Sequence, residues 1–195
     1  MLAAVILSGG ASSRMGSPKA LLAYQGRPFL EHLLEVTLHP QIGPRRVVLG
    51  ADAEPIAKAI NLKADEIVIN AEWEKGQLTS VQAAMRSLPA GTDGILLCLI
   101  DHPLISAVLI QELIERFYKS GKPIVLPIYE GRRGHPLIFA ASLYDELLRA
   151  PLETGARAVV WAHSREVEEV RTNEEGCVLN LNDPDTMNKA FGSAD

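Results

Sequence analysis

Runs of consecutive apolar residues alternate along this chain with segments whose apolar positions recur every three or four residues. Continuous apolar runs of this length read as strands buried on both faces, and the recurring spacing reads as helices that cover a sheet. The pattern predicts strands at Ala3–Leu7, Arg45–Leu49, Glu66–Ile69, Ile95–Ile100 and Ile124–Leu126. Between them it predicts helices at Phe29–Leu38, Glu54–Ile60, Leu78–Ser87 and Ala107–Ser120. In the last of these, Leu109, Leu113 and Phe117 share a face, with Ser106 placed to cap the start and Gly121 to stop the end. The second half is less regular. It predicts a turn over residues 129–136, a strand at Leu137–Phe139 and helices at Leu143–Leu148 and Ala156–Ala162. Short strands follow near Val167–Val170 and Val178–Leu181, and a last helix begins near Pro184. Strand and helix in alternation predict an α/β fold with a mostly parallel sheet between helices, in one domain spanning residues 1–195.

Composition narrows the function. With 47% hydrophobic and 22% charged residues, the 195-residue chain is ordinary for a soluble domain. A net charge of -5 excludes the broad basic surface that nucleic-acid binding needs, so any anionic ligand must be held by a local group of cations. No apolar run reaches the roughly 20 residues of a membrane helix, and the N-terminus carries no secretory pattern, so a cytoplasmic location is expected. Cys98 and Cys177 are the only thiols and have no metal-ligand spacing; Cys98 is expected to be buried and reduced.

The chemistry concentrates where strands end. After the first strand comes Ser8-Gly9-Gly10-Ala11-Ser12-Ser13-Arg14-Met15-Gly16-Ser17-Pro18-Lys19. Its glycines allow backbone N–H groups to approach a phosphate, and Arg14 and Lys19 add two cations, enough to hold a triphosphate. The spacing is neither GxxxxGK[ST] nor GxGxxG. Asp101, in Asp101-His102-Pro103, ends a central strand and supplies a hard oxygen ligand for Mg²⁺ carrying phosphates, or is simply a turn residue. Asn70, Gly76, Gln77, Thr79 and Ser80 surround a helix start; they serve either to read a base, ribose or anion, or to cap the helix beside a packed Trp73. Arg132 and Arg133, between Gly131 and Gly134, either grip a phosphate or form a solvated hairpin tip; His135 is a base, a ligand or structural. Asn180 and Asn182 share a side if extended, and either completes a metal shell begun by Asp101 while Asn182 or Asp183 caps the final helix. Arg45-Arg46 and residues 165–169 read as solvated faces, and His32, His39 and His163 show no partner.

In this order the motifs resemble the molybdenum-cofactor nucleotidyltransferase family, from about residue 3 to residue 190. The glycine-rich loop has the family's G-G-x-S-x-R-M-G-x-x-K form. The resemblance implies a Rossmann-like three-layer fold with a mixed sheet and a Mg²⁺-dependent transfer. In that reaction the terminal phosphate of molybdopterin attacks the α-phosphate of CTP or GTP and pyrophosphate leaves. Leu7-Ser8-Gly9-Gly10 and Asn180-Leu181-Asn182-Asp183-Pro184-Asp185 are closer to the guanylyl branch; Arg14-Met15-Gly16, Gly76-Gln77-x-x-Ser80 and Arg133-Gly134-His135-Pro136 are closer to the cytidylyl branch. The latter signals spread over more of the chain, and His102 replaces a usual glutamine. Carried onto this chain, the resemblance makes Arg14, Lys19 and Asp101 catalytic. The nucleotide falls to Leu7, Ser8, Gly9, Gly10, Ser13, Arg14 and Lys19, with Asn70, Gly76, Gln77 and Ser80. It gives the metal to Asp101, Asn180 and Asn182, and the acceptor to Arg133, Gly134 and His135. The implied partners are the NTP, a molybdopterin-type acceptor and a molybdoenzyme that receives the product. A sugar-phosphate nucleotidyltransferase and a non-catalytic cofactor carrier are the rival readings.

Overall fold

The computed structural model describes residues 1–10, 17–183 and 186–187. In chain order it holds β1 (Leu2–Ser8), a hairpin of β2 (Ala23–Tyr24) and β3 (Arg27–Pro28), α1 (Phe29–Val36), β4 (Ile42–Leu49), α2 (Ala53–Ile60) and β5 (Ile67–Ile69). Then come α3 (Gln77–Arg86), β6 (Gly94–Leu99), α4 (Ala107–Ser120), β7 (Ile124–Tyr129), β8 (Arg132–Arg133) and β9 (Leu137–Ala140). Helices α5 (Tyr144–Arg149) and α6 (Arg157–Ala162) and strand β10 (Val167–Arg171) follow. The main sheet runs β10-β7-β9-β6-β1-β4-β5, with β8 paired to β7. β9 is antiparallel to both neighbours, and the other pairs along this path are parallel.

Every residue of β1 is buried because helices pack on both faces of the sheet. Ala4 and Ile6 face one core with Leu30, Leu33, Ile56 and Leu109 of α1, α2 and α4. Ala3, Val5 and Leu7 face the other with Leu78 and Val81 of α3, Leu147 of α5 and Val159 of α6. The period-two alternation of a strand thus divides one apolar run between two cores, each fully buried side chain contributing roughly 1.5–3 kcal/mol. The result is the expected three-layer α/β fold. The termini of α4 also form as expected: Ser106 Oγ accepts from Leu109 N at 3.1 Å, and Gly121 takes a left-handed φ of 65°. Among the described residues no helix is long and apolar enough to cross a membrane. Both cysteines are free and buried, and burial pushes the Cys98 thiol up to about 12 and Cys177 up to about 11.

The structure departs from the sequence pattern at several places. The β2–β3 hairpin was not expected, because its turn residues Gln25 and Gly26 (φ 50° and 77°) lack the usual Asn-Gly signal. Val178–Leu181 is not a strand. Val178 packs into the core beneath α4, and Leu181 is buried beside the loop that follows β6, where Leu181 N donates to Asp101 O at 2.8 Å. The Arg45-Arg46 pair is no simple solvated face, since Arg45 forms a half-buried ion pair with Glu66 at 2.5 Å. His163 has partners, Glu146 and Glu166, which raise its pKa through hydrogen bonds. Of the last helix, Thr186 and Met187 are helical and Asp183 Oδ1 caps Thr186 N at 2.8 Å; Pro184 and Asp185 lie outside the described residues.

Candidate active site

β1, β4 and β6 run parallel, so their carboxyl ends, and the loops that leave them, share one edge of the sheet. This is where open α/β sheets bind ligands. A cleft of about 190 Å³ opens there, bounded on one side by Leu7, Ser8, Gly9 and Gly10 and on the other by Ile100 and Asp101. Its glycine turn is held by a close approach of two backbones. A Cβ on Gly50 would lie 2.2 Å from Gly9 O and 2.8 Å from Trp73 Cβ, so no side chain fits there.

Lys19 enters from a short 3₁₀ turn, Lys19–Leu21, and lines the same cleft as Asp101. Its Nζ donates to Asn182 Oδ1, and Leu181 N is bonded to the Asp101 carbonyl. Lys19 and Asp101 thus line one cleft, and Asn182 is tied to it through the Lys19 ammonium. Asn180, by contrast, is exposed, while Asn182 is half-buried. Ser13 and Arg14 lie outside the described residues.

The α3 start divides its work. Asn70 is buried, and its Nδ2 donates to Thr79 Oγ1 (2.8 Å) and Ser80 Oγ (2.9 Å) while its Oδ1 accepts from Glu72 N (3.0 Å). Asn70 thus ties the end of β5 to α3 and positions Ser80, which lines the cleft with Gln77 and Trp73. Gly76, at φ 113°, makes the sharp entry into α3 and borders a second groove rather than this cleft. Asp52 and Ile56, beyond β4, also line the cleft. The sequence reading passed over them; the available signal was Gly50, a glycine at the carboxyl end of a parallel strand.

The second groove is larger, about 600 Å³, and meets the first at Gln77, which lines both. Arg133, Gly134 and His135 border it. Gly134 has no room for a Cβ, which would fall 2.5 Å from Cys177 O, and His135 N donates to that same oxygen at 2.7 Å. Arg133 Nε donates to Glu169 Oε1 at 2.8 Å. The His135 ring lies 5.1 Å from that of His102, which follows Asp101, so the groove also approaches the cleft behind the carboxylate.

Both imidazoles are held neutral. Burial lowers the pKa of His102, offset in part by Asp101 and by the carbonyls of Gly176 and Cys177. Burial, helped by His102, brings His135 down to about 3. On unfolding, His135 regains its ordinary value of 6.5 and takes up a proton that the native chain refuses. Its contribution to stability is therefore complete above pH 6.5 and is lost as pH falls toward 3. We expect urea unfolding of the native chain to lose about 2 kcal/mol of stability from this group between neutrality and about pH 5. His135→Gln should flatten that part of the pH profile, and an unchanged slope in the variant would contradict the assignment.

A glycine turn with Lys19 and Asp101 lining one cleft at the carboxyl edge of a three-layer sheet fits the nucleotidyltransferase class of α/β enzymes. The chain belongs to the MobA-like NTP transferase family, whose domain it matches over residues 4–167. It is 34% identical over 171 residues to a molybdenum cofactor guanylyltransferase of Rhizobium meliloti, covering 86% of this chain and 72% of that one. It is 33% identical over 150 residues to the nicotine blue oxidoreductase of Paenarthrobacter nicotinovorans, covering 71% of each. Among solved structures, Rv0371c of Mycobacterium tuberculosis superimposes with a TM-score of 0.79 at 26% identity over 98% of both chains. The same protein's manganese complex superimposes with a TM-score of 0.72 at 22% identity.

Proposed function

We propose that this nucleotidyltransferase moves CMP or GMP from the NTP to the terminal phosphate of a molybdopterin-type acceptor and releases pyrophosphate. The observation that carries the reading is the meeting of two clefts at Gln77, one with Lys19 opposite Asp101 and the other large enough for a second substrate. The guanylyltransferase relatives support the acceptor, and the Arg133-Gly134-His135-Pro136 element supports CTP as the donor.

The glycine turn, with Lys19, holds the β- and γ-phosphates, and Arg14 joins them from the same loop. An oxygen of the acceptor phosphate forms the new bond to the α-phosphorus. The bond to the β-phosphate oxygen breaks, and pyrophosphate leaves with that electron pair. The acceptor phosphate is already ionised near neutral pH, so the reaction asks for positioning and charge neutralisation rather than a general base. The neutral His102 and His135 are consistent with this division of labour.

The donor set fits a hard divalent cation. Asp101 would supply a carboxylate and Asn182, half-buried and next to Lys19, an amide oxygen, in preference to the exposed Asn180. Among the described residues no three His, Cys, Asp or Glu side chains gather to form a closed metal cage. One carboxylate with substrate phosphates is how Mg²⁺ is commonly bound. When bound, Mg²⁺ supplies positive charge across the phosphates.

The test is pyrophosphate release by the purified chain with Mg²⁺, given CTP or GTP and either molybdopterin or a hexose 1-phosphate. We expect release with molybdopterin, faster with CTP, followed by consumption of the resulting dinucleotide by a molybdoenzyme. Release with the sugar phosphate and none with molybdopterin would overturn the acceptor; faster release with GTP would overturn the base.

A further inference from the structure

The groove beyond Gln77 has a wall to which the sequence motifs assign nothing. Its floor is apolar, built from Leu97, Leu126, Leu137 and Phe139 of the sheet. Its outer wall is α6 and the loop before it, where Gly155 (φ 70°) turns the chain into the helix. From α6, Arg157 and Trp161 face this space one helical turn apart. The Arg157 guanidinium carbon lies 5.9 Å from the centre of the Trp161 ring.

Core packing does not account for this pair. Trp161 is 60% exposed although it lines a concave surface. Among the described residues no carboxylate lies within ion-pair distance of Arg157, whereas Arg133 on the same groove is held by Glu169. The guanidinium lies over one face of a largely exposed indole and has no carboxylate partner among the described residues. Such a pair suits a flat ring system with negatively polarised oxygens, since the exposed indole offers stacking and the guanidinium a planar fork of donors. The groove shares Gln77 with the nucleotide cleft, so the two spaces adjoin.

We infer that Arg157 and Trp161 are the acceptor-selecting residues: Trp161 stacks on a fused, planar heterocycle and Arg157 donates to its ring oxygens. The assignment rests on the transfer reaction proposed above and names how its second substrate is recognised. It requires that the heterocycle lie on α6 while the phosphate of the acceptor points past Gln77.

The two tryptophans of the chain make the test direct, because Trp73 lies in the nucleotide cleft and Trp161 in the groove. In a Trp73→Phe background, without nucleotide, a pterin phosphate should quench the remaining emission saturably. Adding Arg157→Ala should raise the Kd about tenfold or more. In the otherwise native chain, Arg157→Ala and Trp161→Ala should raise the acceptor KM by a similar factor and leave the NTP KM and the melting shift given by NTP with Mg²⁺ unchanged. Quenching that does not saturate, or an acceptor KM unmoved in both variants while molybdopterin is still turned over, would overturn the inference and leave the transfer reaction standing. Saturable binding weakened by Arg157→Ala without pyrophosphate release would sustain the groove assignment and defeat the transfer reaction instead.

Discussion

Replacing Lys19 with alanine is expected to lower kcat/KM for the NTP by roughly 10²–10³-fold, the scale seen when one preorganised charge-stabilising donor is removed. Lys19 is half-buried at the mouth of the cleft, and its ammonium faces both the Asn182 amide and the space bounded by Asp101. A cation there neutralises charge that grows on pyrophosphate as it departs, so its loss should fall on kcat more than on NTP binding. The side chain contributes little to the core. Its neighbour Ala20, 1% exposed, carries the packing of that turn. The melting temperature should therefore stay within a few degrees of the native value. Pyrophosphate release measured beside a thermal melt checks both halves, and native turnover in the variant would remove Lys19 from the mechanism.

The second large effect is expected at Asp101. Asp101→Asn keeps the shape of the side chain and leaves the main-chain carbonyl free to accept from Leu181 N, so the turn and the docked C-terminal segment should persist. What disappears is the negative charge. With one carboxylate as the main protein anchor, the affinity for the divalent ion should drop and turnover should fall roughly 10²–10³-fold. Titrating Mg²⁺ or Mn²⁺ against initial rate separates the cases. A shift of the activating range to much higher metal, with low residual kcat, is the expected outcome. An unaltered metal titration at native rate would place the ion elsewhere.

Much of the fold was legible because its determinants are local. The runs of β1 and β6 are buried throughout with no alternation, β4 and β7 carry shorter buried stretches at Val47–Leu49 and Ile124–Pro127, and α4 shows both its apolar stripe and its caps at Ser106 and Gly121. Asp101 and the glycine turn could be placed at strand ends for the same reason. Other positions misled because one residue type serves several environments. At Asn70 the sequence leaves ligand reading and helix capping both open, and in the fold its amide bonds to Thr79, Ser80 and Glu72. Val178–Leu181 carried strand-like apolar residues, but burial in the core without sheet pairing satisfies them as well as a strand does.

The order of apolar runs and breaks along this chain was enough to specify alternating strands and helices, with a glycine-rich segment after the first strand. Such features depend on backbone preferences and on spacing over a few residues. The insertion of β9, antiparallel, between β6 and β7 came from long-range packing. So did the meeting of Lys19 with Asn182, 163 positions apart, and the placing of α6 as the far wall of the groove. No periodicity encodes these contacts, because they are selected by which faces bury best against one another once the whole sheet has formed.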